Sequence, residues 1–175
     1  IGDSCLDLTE ELKKDSRYQM VPLTLQVGST HVVDDDTFDQ KKFIELVKAS
    51  PECPKTACPS PDMFKKAYEN AGTEAVFVLT LSSHLSGTYN SAVLGKKLYL
   101  EELEERKEAD RAAKIEIIDS LSASSGELNI ALYIQSLCEE GLEFEEVCQK
   151  AQAYRDSMKT YFVLETLDTL RKNGR

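Results

Sequence analysis

The 175-residue sequence has no tryptophan and only two histidines, His31 and His84. Neither histidine stands at metal-ligand spacing from a cysteine or from the other, so no metal site is expected. The five cysteines, at positions 5, 53, 58, 138 and 148, are odd in number and scattered, with no C-x-x-C pair. That pattern gives no disulfide framework, and reduced thiols are expected. Basic residues are also short: 21 Lys and Arg against 31 Asp and Glu leave a net charge of −10. Sequence-independent nucleic-acid binding needs clustered cations to displace phosphate counterions, so nucleic acid is excluded as a partner. No apolar run approaches the roughly 18–20 residues that span a bilayer, and stable membrane insertion is not expected. The opening Ile1-Gly2-Asp3-Ser4 is not a signal peptide, so a cytoplasmic location is the expectation. G-x-S-x-G, G-x-G-x-x-G and G-x-x-x-x-G-K-[ST] are absent, which removes the anchors of esterase, dinucleotide and Walker-type readings.

What remains is a composition suited to one folded domain, large enough to bury a core without disulfide or metal. Asp7 with Glu10 predicts a short helix through about Asp15. Residues 19–33 alternate, with Met20, Val21, Leu23, Leu25 and Val27 leading to Gly28-Ser29 and a return through Val33, which predicts a hairpin. Thr37-x-x-Gln40 has the capping-box pattern ahead of Phe43, Ile44 and Val47. Four of the five prolines fall in Pro51–Pro61, an extended loop that ends with Ser60 as N-cap and Pro61 at the first helical position. Ala75–Leu81 is nearly continuous in apolar residues, as a strand covered on both faces would be. A helix opening at Ser86-Gly87 is expected to turn Tyr89, Ala92 and Val93 inward, with a charged, solvated end at Glu101–Arg111. Ile115, Ile117 and Ile118 mark the next strand. Helices at about 124–139, with Ile130, Ile134, Leu137 and Cys138 in period, and 143–157 follow, then a strand at Tyr161–Leu164 and helical turns at Leu167–Lys172. Alternating strands and helices predict an α/β fold with a mainly parallel sheet flanked by helices.

In such sheets ligands bind beyond the carboxyl ends of the strands. Those ends read Asp3-Ser4, Ser82-Ser83, Asp119-Ser120 and Glu165-Thr166, and hydroxyls predominate. The richest segment, Leu81–Tyr89, is a strand-to-helix turn whose helix begins Ser86-Gly87-Thr88. Free backbone N–H groups and the positive end of a helix dipole attract a small anion there. Ser86 Oγ can donate to that anion and Gly87 allows close approach; the plainer alternative is that Ser86 only caps its own helix. Thr56, in the proline-rich loop, supplies a second hydroxyl that can fold toward Ser86, or else makes a local turn bond. Cys58 with His84 as base is a weaker candidate for nucleophilic chemistry.

Taken together the segments resemble the DegV family. Gly2-Asp3-Ser4-Cys5-Leu6-Asp7-Leu8 resembles the family's D-S-T-A-D-L start, and Val21-Pro22-Leu23 its V-P-L strand. Pro54–Ser60 is similar to P-K-T-S-Q-P-S, and Ser82–Ala92 to S-S-x-L-S-G-T-Y-x-S-A. Asp119–Gly126 resembles D-S-x-x-A-S-x-G, and Leu170–Arg175 resembles L-R-K-G-G-R. The resemblance implies a bacterial, non-enzymatic carrier of a long-chain fatty acid such as palmitate, needing no cofactor. It implies an acyl chain in an apolar tunnel and a carboxylate held at positions that map to Thr56 and Ser86. Ser83, Gly87 and Thr88 would shape the pocket, with Arg175 near it. It also implies presentation of the acid to a fatty-acid kinase that makes acyl-phosphate for phospholipid synthesis. Residues 1–175 would form the N-terminal domain of a two-domain fold whose second domain is absent from this chain. Ala57 and Cys58 stand where the family usually has Ser and Gln, removing a hydroxyl and an amide beside Thr56. The alternative function is an enzyme acting on a small phosphorylated or carboxylated substrate through Ser86 or Cys58.

Overall fold

The computed structural model of the chain describes residues 1–163 and 171. In chain order the elements are β1 (Gly2–Asp3), β2 (Met20–Val21), β3 (Thr24–Val27), β4 (Thr30–Val33), α1 (Gln40–Ala49), β5 (Lys55–Ala57), α2 (Pro61–Asn70), β6 (Ala75–Thr80), α3 (Thr88–Glu105), β7 (Lys114–Asp119), α4 (Ser125–Glu139) and α5 (Phe144–Ser157). Four strands form a parallel sheet in the order β2-β1-β6-β7, and β3, β4 and β5 form a second, antiparallel sheet in the order β4-β3-β5. This is the α/β architecture expected from the alternation of strands and helices.

Each face of the parallel sheet is covered by its own pair of helices, which explains the unbroken apolar run of β6. Val76 and Val78 on β6 and Ile115 on β7 pack with Phe64, Ala67 and Tyr68 of α2 and Ala92 and Tyr99 of α3. Leu79 and Ile118 face the other way, against Ile130, Ile134 and Leu137 of α4 and Val147 and Ala151 of α5. The α2–α3 contact is close because Gly95 has no side chain: a Cβ there would lie 2.6 Å from the Pro61 carbonyl oxygen and 2.7 Å from Phe64 Cβ. The Tyr68 hydroxyl donates to the Ala92 carbonyl at 2.9 Å, so its buried polar atom is satisfied.

Several local expectations are corrected. Between Asp7 and Asp15 only one 3-10 turn forms, Leu12–Lys14. Thr9, not Asp7, accepts the Leu12 and Lys13 amides, and the Asp7 carboxylate instead accepts from Ser124 Oγ at 3.2 Å. The hairpin begins at Thr24, since Pro22 separates it from Met20–Val21, which pair with β1 in the parallel sheet. The N-cap of α1 is Asp39, whose carboxylate accepts the Lys42 amide at 3.1 Å; Thr37 bonds to Asp35 instead. The proline-rich stretch is not all loop, because Lys55–Ala57 pairs with β3 between its prolines. Ser60 and Pro61 open α2 as expected, with Ser60 Oγ accepting from the Met63 amide. Val93 is 44% exposed, and Cys138 is exposed too. The residues that turn α3 inward are Thr88, Ala92, Gly95 and Tyr99, a spacing of four, three and four. Tyr161–Val163 form no strand; Leu164 and the helix expected at Leu167–Lys172, apart from Arg171, lie outside the described residues.

Candidate functional site

Strand order reverses between β1 and β6, so the carboxyl ends of these two neighbours flank the crevice where an α/β sheet binds ligands. Asp3 ends β1 there, fully buried. Its Oδ2 accepts the Leu81 amide at 2.7 Å and its Oδ1 the Cys5 amide at 2.9 Å. Burial pushes this carboxyl up from the ordinary aspartate range, and the two amide bonds work in the opposite sense. The effect is to tie the start of the Ser82–Thr88 turn to the end of the adjacent strand.

The other side of the turn is held by the segment after β7. Asp119 Oδ1 accepts the amides of Ser83 at 3.0 Å and Leu121 at 3.2 Å, and the Ser122 carbonyl accepts the Ser82 amide at 2.9 Å. The Ser82 carbonyl then accepts from both Leu85 and Ser86, which closes the turn and sets Ser86 just ahead of α3. Ser82 is buried, Ser83 and Gly87 are exposed, Ser86 is half-buried and Thr88 is buried.

At the helix start, Ser86 Oγ and Thr88 Oγ1 lie 2.8 Å apart and the Thr88 amide donates to Ser86 Oγ at 3.3 Å. Ser86 therefore holds one amide of its own helix, as the plainer reading required. The first intrahelical bond is Ser91 N–H to the Gly87 carbonyl, so the amides of Tyr89 and Asn90 precede it and point out of the helix end. No side chain caps the helix at Gly87. The resulting surface is a half-buried hydroxyl pair beside free amides at the positive end of an 18-residue helix, a disposition that stabilises a carboxylate or phosphate.

The loop carrying Thr56 comes to the same place. Thr56 lies opposite Leu25 in the antiparallel sheet and is exposed. Two residues on, Cys58 Sγ is 3.7 Å from Ser91 Oγ, and 3.3 Å from where a side chain on Gly87 would begin. The proline-rich segment thus folds over the first turn of α3. Arg175 lies outside the described residues. Cys58 and His84 are not hydrogen-bonded to each other among the described residues, and Ser86 Oγ bonds to Thr88 rather than to a base. Among the described residues no group of three or more His, Cys, Asp and Glu could hold a metal ion.

Three residues escape sequence reasoning. Asp3 and Asp119 act through backbone amides, Leu81 and Ser83, far away in sequence, and only their position at strand ends hinted at a role. Glu127, in the first turn of α4, is fully buried, and neither of its carboxyl oxygens has a hydrogen-bond partner among the described residues. Burial first, and the neighbouring Asp3 second, push its carboxyl up to about 9; the Ser124 amide, near but outside hydrogen-bond geometry, works in the other direction. A carboxylic acid at that position is neutral at pH 7.

Sheet, switch point and open helix end define an α/β domain with unpaired helix amides beside its switch point. The chain belongs to the DegV family, whose model, described as an uncharacterised protein family, matches residues 1–175. A DegV domain-containing protein of Streptococcus pneumoniae is 40% identical over 162 residues, 92% of this chain and 54% of its own length. A DegV-family crystal structure from Ruminococcus gnavus, with vaccenic acid, is similar at 44% identity and a TM-score of 0.92, covering 99% of this chain and 60% of that one. The Streptococcus pneumoniae Fatty Acid Kinase (Fak) B3 protein, loaded with linoleic acid, is similar at 34% identity and a TM-score of 0.74, covering 89% and 53%. The chain therefore spans little more than half the length of these relatives. No helix among the described residues is long and apolar enough to cross a membrane.

Proposed function

We propose that this chain supplies the carboxylate-binding part of a cytoplasmic long-chain fatty-acid carrier. The observation that carries the reading is the open N-terminus of α3, with the Ser86–Thr88 hydroxyl pair beside it and the Thr56 loop folded across it. An ionised carboxylate taken out of water is very costly unless several donors receive it. Here the donors are the hydroxyls of Ser86 and Thr56 and the amides of Tyr89 and Asn90, with Ser83, Gly87 and Thr88 shaping the turn. Relatives of known structure hold vaccenic and linoleic acids, which supports a fatty acid over a phosphorylated metabolite. The acyl chain lies in an apolar tunnel shared with a second domain of the full-length protein. The carrier presents its acid to a fatty-acid kinase, a reading supported by the relative named as a fatty acid kinase B protein. In this reading it binds and presents the acid and performs no chemistry itself.

Native mass spectrometry of the full-length protein tests this. A C14–C18 acid is expected to co-purify, and Ser86→Ala to deplete it. A well-folded full-length sample that emerges without lipid and takes up no added oleic acid would contradict the proposal.

A further inference from the structure

Thr56 and Ser86 lie on different elements, so their spacing has to be set by something. Upstream, β5 is fixed by pairing with β3, with Thr56 opposite Leu25. Downstream, Ser60 caps α2, and α2 is packed on α3 through the close contact at Gly95. The bridge between these fixed points is residues 57–59, and it meets the first turn of α3 at Cys58. Its Sγ lies 3.7 Å from Ser91 Oγ, and a Cβ added at Gly87 would come to 3.3 Å from it. The thiol therefore rests on the first turn of α3, where a side chain at position 87 would crowd it.

We propose that Cys58 is a positioning residue of the carboxylate site: its thiol, seated on the bare backbone of Gly87 beside Ser91, sets the distance between the Thr56 strand and the N-terminus of α3. The proposal rests on the fatty-acid reading above. Cys58 touches no ligand in this account; it acts by holding Thr56 in place. A larger group at 58 pushes residues 57–59 off the helix and strains the end of β5 that carries Thr56, and a smaller one removes the contact that holds them there. In both cases the hydroxyls of Thr56 and Ser86 no longer converge on one carboxylate. Cys58 is exposed and belongs to neither core cluster, so these changes act on the site and leave the fold intact.

The test measures oleic acid affinity and thermal midpoint on the full-length protein. Cys58→Leu is expected to lower affinity at least tenfold and Cys58→Ala about threefold, with midpoints within about 2 °C of wild type. Cys58→Ser, which keeps a small polar group facing Ser91, restores affinity to within twofold. Methyl methanethiosulfonate gives the same answer without mutation: the thiolate displaces methanesulfinate, leaving S–S–CH3, and affinity falls until dithiothreitol removes the group. Cys58→Ser, treated alike, keeps its affinity, which assigns the effect to position 58 rather than to the other cysteines. Wild-type affinity in Cys58→Leu and in the methylthiolated protein would overturn the proposal. Failure of the underlying reading looks different: unmodified wild type then binds no oleic acid at all. The seam is judged in that event by Gly87→Ala, which raises the rate of Cys58 reaction with DTNB at least threefold if the thiol is seated there and leaves it unchanged if it is not.

Discussion

The Ser86 hydroxyl accepts the Thr88 amide and shares a hydrogen bond with Thr88 Oγ1 in which either oxygen can donate, and in the proposed site its hydrogen turns to the carboxylate. Truncation to alanine removes a donor to a charged partner, a loss of about 1.5–3 kcal/mol, or roughly 10- to 100-fold in affinity. Titration of full-length Ser86→Ala and Thr56→Ala with oleic acid should show losses in that range, while losses under twofold would remove these residues from the site. Glu127 gives a prediction of another kind. Its folded-state pKa of about 9 stands well above the ordinary value of 4.5, so between those values the folded protein holds a proton that the unfolded chain has lost. The stability this contributes is complete below about pH 4.5 and is lost as pH rises toward 9. Asp3, also shifted upward by burial, adds in the same direction. The urea midpoint of the wild type should therefore fall from pH 6 to pH 8.5. Glu127→Gln, which cannot ionise, should show a much flatter profile and overtake the wild type at the alkaline end; parallel profiles would contradict the assignment.

At the level of elements, the seam between α2 and α3 is set by one absent side chain. Alanine at Gly95 gains about 1 kcal/mol of helix preference but meets backbone and Cβ atoms that cannot swing aside, a cost of about 1–3 kcal/mol. Because the nearest atom is a carbonyl oxygen at 2.6 Å, the upper part of that cost applies and Gly95→Ala should lower the urea midpoint; a rise would show that the helices separate freely. Elements with strong local signals were legible in the sequence. Ser60-Pro61 opened α2, the β-branched runs gave β6 and β7, and the regular apolar spacing gave α4 and α5. Legibility failed where two local signals competed for one turn, as with Thr37 against Asp39 and Asp7 against Thr9. The loser in each pair was engaged by another partner, Asp35 for Thr37 and Ser124 for Asp7. Nor does periodicity within one strand say which sheet that strand joins. Met20–Val21 and Thr24–Val27 read as one hairpin arm, and Pro22 sends them to different sheets. For the site, the hydroxyls and the open helix end could be read from Ser82–Tyr89. The anchoring by Asp3 and Asp119 and the contact of Cys58 with Ser91 could not, because each reaches a residue more than 30 positions away in sequence.

At the scale of the whole chain, these 175 residues carry a net charge of −10, so under the proposed reading they offer no broad positive field to draw an anionic ligand in. In the proposed reading recognition comes from short-range donors at the end of α3, and contacts of that kind are little affected by screening over a Debye length of about 8 Å at physiological salt. Oleic acid affinity of the full-length protein should change by less than about threefold between 50 and 500 mM KCl; a steep loss with salt would point to a cationic patch instead. The two sheets divide the work: the parallel sheet fixes the switch point and α3, and the antiparallel sheet carries Thr56 toward them on β5. That convergence is the central claim, and a crystal structure of the full-length protein with oleic acid tests it most directly. The account predicts carboxylate density within hydrogen-bond distance of both Thr56 Oγ1 and Ser86 Oγ at the first turn of α3. A head group bound elsewhere, with that helix end facing only solvent, would contradict it.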